Sequence, residues 1–211
     1  MTLQIKDLGV QDYIQTYNAM RDFNNKRDSG TVDQIWLLEH PPVYTLGLSD
    51  KTEHLLNTAD IPVIKTDRGG QVTFHGPGQL IAYLLIDLNR RPYAIKKLVS
   101  LMETSVIEYL IDCGVKAGRK SGAPGVYVHG QKIAALGVRV RKGGTYHGLA
   151  LNINMDLKPF EGINPCGYEG MVCTQLIQYK KDITLAEVKM NFPVYLLKYL
   201  DKSSGVLSDV A

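Results

Sequence analysis

The sequence has no cysteine pair at CxxC spacing, and its three cysteines, Cys113, Cys166 and Cys173, make an odd number. That argues against a disulfide framework and against a zinc cluster. Reduced thiols in a cytosolic protein fit better. No apolar run approaches the roughly 20 residues that span a bilayer. Residues 1–7 lack the character of a secretory leader. A cytoplasmic protein without membrane contact is therefore expected. Neither GxxxxGK[ST] nor a strand-GxGxxG-helix pattern occurs, which leaves nucleotide phosphate loops without support. The net charge of +3 is too small to call for nucleic acid. Low-complexity segments, internal repeats and linkers are also lacking.

What is present suits a folded α/β chain. Its 211 residues are 45% hydrophobic and 21% charged, enough for one sizeable core. A single domain over 1–211 is expected, with 180–211 as part of it and 203–211 as a frayed tail. Val10, Tyr13, Ile14, Tyr17 and Met20 fall at helical spacing and predict a first helix between Gly9 and Gly30, its tyrosines in the core. Residues 35–38, 43–46 and 62–65 read as strands, and 48–57 as an irregular loop. Residues 80–88 form a nearly continuous apolar strand, the pattern of a central position covered on both faces. The clearest helix is 92–113, with Pro92 in its first turn and Gly114 as its stop. Residues 125–154 read as an antiparallel meander with turns at His129-Gly130 and Lys142-Gly143-Gly144. Arg139 and Arg141 should face solvent or a partner. Thr184-x-x-Glu187 is a capping box for a last helix, in which Pro193 should produce a kink or a break.

Several stretches carry polar groups and glycines that a core does not require. In 71–75, Gln71, Thr73 and His75 alternate with Val72 and Phe74, putting three polar groups on one face of a strand. Asn164-Pro165-Cys166-Gly167 sets a thiol between a residue that fixes the chain and one that frees it. Local sequence leaves two readings of Cys166, a presented nucleophile or a small buried hydrophobe, and favours the second. Lys132 lies amid apolar neighbours and could activate a thiol, but spacing alone favours a lysine pointing to water after a turn. His75 and His147, each followed by glycine, are possible bases or structural histidines, with the structural role favoured. Cys113, at a helix end where the dipole disfavours a thiolate, reads as structural.

Arg68-Gly69-Gly70-Gln71-Val72-Thr73-Phe74-His75-Gly76-Pro77-Gly78-Gln79, Gly130-Gln131-Lys132-Ile133-Ala134-Ala135-Leu136-Gly137, His147-Gly148-Leu149-Ala150-Leu151-Asn152 and Asn164-Pro165-Cys166-Gly167 occur in that order. Together they closely resemble the motifs of lipoyl(octanoyl) transferases, from about Glu39 through Thr174. Phe74 stands where tyrosine is common, Ala135 where serine also occurs, and Cys173 is an additional thiol without an assigned role.

The resemblance implies a mixed β-sheet with helices packed on it, the biotin/lipoate protein ligase fold of the α/β (α+β) class. It implies an acyltransferase of lipoate biosynthesis. The donor would be octanoyl-acyl carrier protein. The acceptors would be lipoyl domains of 2-oxoacid dehydrogenases and the glycine cleavage H protein. By carry-over, Cys166 is the acyl-thioester nucleophile and Lys132 its partner. Arg68, Gly69, Gly70, Gln71, Val72, Thr73, Phe74 and His75 would line the acyl site, with Ala135, Leu136, Gly137, Gly148, Leu149 and Ala150; His147 would support it. Neither ATP nor a metal is expected, and a monomer is the expected state. Backbone N–H groups around Cys166 and Gly167 could hold the oxyanion, and the sequence does not fix which groups do so. The rivals are an ATP-dependent lipoate or biotin ligase on the same fold, a cysteine hydrolase using His75 or His147, and a silent acyl-binding or lipoyl-domain-binding module.

Overall fold

A computed structural model describes residues 3–49 and 52–201; the tail expected at 203–211 lies outside the described residues. The main sheet has six strands in the order β1-β2-β6-β9-β8-β7. These are β1 (Leu3–Val10), β2 (Asp33–Glu39), β6 (Gln79–Leu85), β7 (Val126–Val128), β8 (Gln131–Arg141) and β9 (Gly144–Asn152). Strands β1 and β2 run parallel, and every other neighbouring pair is antiparallel. A second sheet of three short strands, β4-β3-β5, comprises β3 (Val43–Leu46), β4 (Val63–Lys65) and β5 (Thr73–His75).

Alternation along β2 and β6 explains the layers. Ile35 and Leu37, with Leu80, Ala82 and Leu84, face a core shared with α2 (Ile95–Asp112) and α3 (Leu185–Leu200). Trp36 and Leu38, with Ile81, Tyr83 and Leu85, face Met20 of α1 (Tyr13–Lys26). The period-2 geometry of a strand thus feeds two cores at once, as the apolar run at 80–88 implied. A third, smaller core joins Tyr44, Leu46, Val72 and Phe74 to Phe160 and Ile163. At the end of the sheet, the buried Asp33 carboxylate accepts from Arg27, Arg90 and Arg91, tying α1 to the segment before α2.

The chain's start differs from the expectation. Val10 closes β1 rather than opening a helix, and both Val10 and Ile14 are exposed. The helix begins at Tyr13, where the Asp12 side chain caps the Gln15 N–H. Pro92 precedes α2 by three residues instead of sitting in its first turn. Thr184 caps α3 through the Glu187 N–H, as its sequence suggested. Pro193 lies inside α3 without dividing it. Among the described residues, no helix is long and apolar enough to cross a membrane.

Candidate active site

Asn164 is extended before Pro165, as a residue preceding proline must be. Cys166 then adopts φ +56° and Gly167 φ +74°. A left-handed backbone at a residue with a Cβ costs about 1–2 kcal/mol. It is held here because the Cys166 N–H donates to the Val72 carbonyl at 3.0 Å and the Gly167 N–H to the Asn164 carbonyl at 2.9 Å. Both amides thus already have acceptors within the chain. A Cβ at Gly167 would displace the Gln71 carboxamide, and the positive φ there strains any residue with a side chain.

Lys132 lies on β8 and is 3% exposed, so it does not point to water. Its N–H donates to Val172 and its carbonyl accepts from Thr174, both at 2.9 Å. That pairing sets Cys173 beside it in a parallel bridge. The ammonium donates to Cys166 Sγ at 2.9 Å and to the Pro124 carbonyl at 3.2 Å. Burial disfavours this charge, but the adjacent Cys166 sulfur and Tyr127 outweigh it and raise the Lys132 pKa above its ordinary value. The ammonium is therefore the resting form near neutral pH. Burial, then Cys166, pushes the Cys173 thiol up to about 12, which leaves it a neutral, inert neighbour.

From Cys166 a cavity runs inward between the two sheets and α1. Arg68, Gly70, Gln71, Thr73 and His75 line one side, and Ala135, Leu136, Gly137, Gly148, Leu149 and Ala150 the other. Gly69, Val72 and Phe74 do not line it. Val72 and Phe74 take the opposite face of their strand and enter the third core. Gly69 meets β8 through its backbone, its N–H donating to the Val138 carbonyl. The Arg68 guanidinium is held by the Thr45 carbonyl at 2.6 Å, Thr45 Oγ1 at 3.0 Å and the Gly69 carbonyl at 3.0 Å. It fastens β3 to the cavity wall.

Tyr13, Ile81 and Tyr83 also line the cavity, and sequence reasoning missed them. Tyrosine at helical spacing reads as core, and nothing in 80–88 marks which apolar residues face a void. Tyr83 is aimed by His40, whose Nε2 accepts from its hydroxyl at 2.8 Å while Nδ1 donates to the Gln11 carbonyl at 2.7 Å. His75 Nδ1 donates to Gln79 Oε1 at 2.8 Å. Burial, reinforced by the other histidines, lowers the His75 pKa to about 3. His147, also at positive φ, lines the same cavity and points Nε2 at Asp67 Oδ1, 3.5 Å away. Its pKa too is lowered by burial. Tyr17 and Tyr146 donate to the same carboxylate. Both cavity histidines are thus neutral and bonded away from the thiol; the group bonded to Cys166 is the lysine. Among the described residues, no group of three or more His, Cys, Asp or Glu could hold a metal ion.

Residues 12–195 match the family described as the lipoyl protein ligase A/B catalytic domain. An octanoyltransferase of Nitrosococcus oceani is 52% identical over 203 residues, covering 96% of this chain and 91% of that protein. A crystal structure of lipoate-protein ligase A bound with ATP superposes with a TM-score of 0.79 at 14% identity, over 95% of this chain and 86% of that one. Biotin protein ligase from Aquifex aeolicus, in complex with biotin and ATP, gives a TM-score of 0.58 at 16% identity, over 94% and 72%. The fold is that of the lipoate and biotin protein ligases.

Proposed function

The chain belongs to the lipoyl protein ligase A/B catalytic-domain family, and on that premise we propose that it carries octanoyl from an acyl-carrier thioester to a lysine of a lipoyl domain, through Cys166. It is an acyltransferase, with octanoyl transfer in protein lipoylation as its reaction. The observation that carries the finer reading is the 2.9 Å contact between Lys132 Nζ and Cys166 Sγ at the mouth of the cavity.

In the first half, the Lys132 ammonium stabilises the Cys166 thiolate, which attacks the donor carbonyl. A carbon–sulfur bond to Cys166 forms and the bond to the carrier sulfur breaks. The departing thiolate takes its proton from Lys132, now neutral. The octanoyl chain lies in the cavity beneath the thioester. In the second half, the acceptor amine attacks this thioester and gives a proton to Lys132. The Cys166 thiolate leaves and the ion pair is restored. One group thus serves as acid and then as base. Thioester exchange is nearly neutral and amide formation from a thioester is downhill, so neither step requires ATP. The lipoyl domains of 2-oxoacid dehydrogenases and the glycine cleavage H protein are acceptors of the right chemistry.

Mixing the protein with octanoyl-carrier protein should add one octanoyl mass, which Cys166→Ala abolishes. Supplying a lipoyl domain should discharge the adduct without ATP. Cys166→Ala should lower turnover by at least about a thousandfold. Activity that requires free octanoate and ATP would overturn the proposal in favour of adenylate chemistry, as would an adduct that survives Cys166→Ala but not Cys173→Ala.

A further inference from the structure

Four consecutive residues in the turn before β7 are each tied to a different partner. The Tyr168 hydroxyl donates to the Gly122 carbonyl at 2.8 Å and the Tyr127 hydroxyl to the Ala123 carbonyl at 2.9 Å. Lys132 Nζ donates to the Pro124 carbonyl at 3.2 Å, and the Gly125 N–H donates to Glu103 Oε1 at 2.9 Å. Tyr168 stands two residues beyond Cys166, so the turn at 122–125 touches both the lysine and the nucleophile's corner. Gly125 has φ +144°, and a Cβ there would lie 3.0 Å from Lys132 Cε and 2.9 Å from the Ala134 carbonyl. The lack of a side chain at Gly125 therefore leaves the space that the Lys132 stem occupies.

Glu103 is 7% exposed on α2, among the apolar residues that face the sheet. Its second oxygen accepts from Arg119 Nε at 2.8 Å. Arg119 in turn donates to the Ser100 carbonyl at 2.9 Å and to Thr104 Oγ1 at 2.6 Å, both on α2. The packing stripe of α2 needs no carboxylate, and a buried one is costly unless it is bonded. A lysine ammonium on its flexible stem has no preferred direction of its own. It gains one from two fixed acceptors, and here these are Cys166 Sγ and the Pro124 carbonyl.

We propose that Glu103 is a positioning residue: by holding the Gly125 amide it fixes the turn whose Pro124 carbonyl aims Lys132 at Cys166. This rests on the reading of Cys166 and Lys132 given above. Glu103 is not among the residues that line the cavity. The titratable groups facing the pair are Tyr127, Tyr168 and Cys173.

The test uses the full chain with Glu103→Ala, Glu103→Gln and Tyr168→Phe. It measures iodoacetamide alkylation of Cys166 by peptide mapping at neutral pH, the pH profile of kcat/KM, and the thermal midpoint. Folded Glu103→Ala should alkylate and turn over about tenfold more slowly, the low end of what an adjacent opposite charge does for an ionised form. Its KM for octanoyl-carrier protein should stay within about twofold, because ground-state binding is untouched. Its kcat/KM profile should shift to more alkaline pH. Glu103→Gln keeps an acceptor for the Gly125 amide and should recover most of the loss. If Glu103→Ala does not fold, Tyr168→Phe carries the test: it removes a tie at the exposed end of the turn and should slow alkylation severalfold. Wild-type alkylation in a folded variant lacking either tie would overturn the proposal, and so would equal losses in Glu103→Ala and Glu103→Gln. A Cys166→Ala protein that still transfers octanoyl would instead overturn the functional reading, while leaving the alkylation comparison intact.

Discussion

Lys132 Nζ donates a 2.9 Å hydrogen bond to Cys166 Sγ across 34 residues of sequence. The two tasks proposed for the pair can be separated by substitution. Arginine keeps the positive charge but cannot give up its proton. Lys132→Arg should therefore still form octanoyl-Cys166, with the carrier thiolate taking its proton from water instead, yet lack the base for the acceptor amine. The adduct should accumulate while kcat falls by about a hundredfold or more. Intact-mass spectrometry during turnover checks this, and a variant with normal turnover would contradict it.

Ala135 and Ala150 are directly cross-strand on β8 and β9, and both line the cavity. A larger side chain at 135 would take space from an acyl chain held there as proposed. Ala135→Leu should shift preference from octanoyl toward shorter chains by tenfold or more in kcat/KM, since one methylene in such a pocket is worth about 1–3 kcal/mol. A series of acyl-carrier donors measures it. An unchanged series would place the acyl chain elsewhere.

Two buried histidines make stability depend on pH. Burial lowers the pKa of His40 to about 4 and that of His75 to about 3. In the unfolded chain each titrates near 6.5. Above that pH both states are neutral and the stability is fully present. As pH falls, the unfolded chain binds protons that the fold refuses, and stability is lost down to the folded pKa values. Each histidine contributes a slope of about 1.4 kcal/mol per pH unit. Urea midpoints at pH 7, 6 and 5 should fall progressively, and less steeply in His40→Gln. A flat profile over this range would contradict the assignment.

The thiols should differ sharply in reactivity. Burial raises Cys113 and, more strongly, Cys173, which reaches about 12. Iodoacetamide near neutral pH should label Cys166 well before either, because only the thiolate attacks. Peptide mapping over a time course reads this directly. Cys173 labelled as fast as Cys166 would sink the assignment.

Much of the fold could be read from apolar spacing. The run at 80–88 announced a doubly covered strand, and the alternation at 71–75 separated Thr73 and His75, which line the cavity, from Phe74, which the family resemblance had placed there and which enters the third core instead. β1 escaped because it is an edge strand, half-exposed, with Lys6 and Asp7 interrupting its pattern. The burial of Lys132 was not legible either. It depends on the strand-like segment 172–174 returning beside β8, a contact between stretches about forty residues apart. Glu103 carries no sequence signature, because its partner amide belongs to a turn that helical periodicity cannot see.

The register of the main sheet places Ile81, Ala150 and Ala135 in one cross-strand row, and Tyr83, Gly148 and Gly137 in the next. Four of these six residues have at most a methyl group on a face where neighbouring rows carry large side chains. The sheet is in effect missing a piece of its own interior. An eight-carbon chain tethered at Cys166 would supply that piece. On the proposed mechanism a loaded protein would have a more complete hydrophobic core than the empty one, and each turnover would remove part of that core until its replacement arrived.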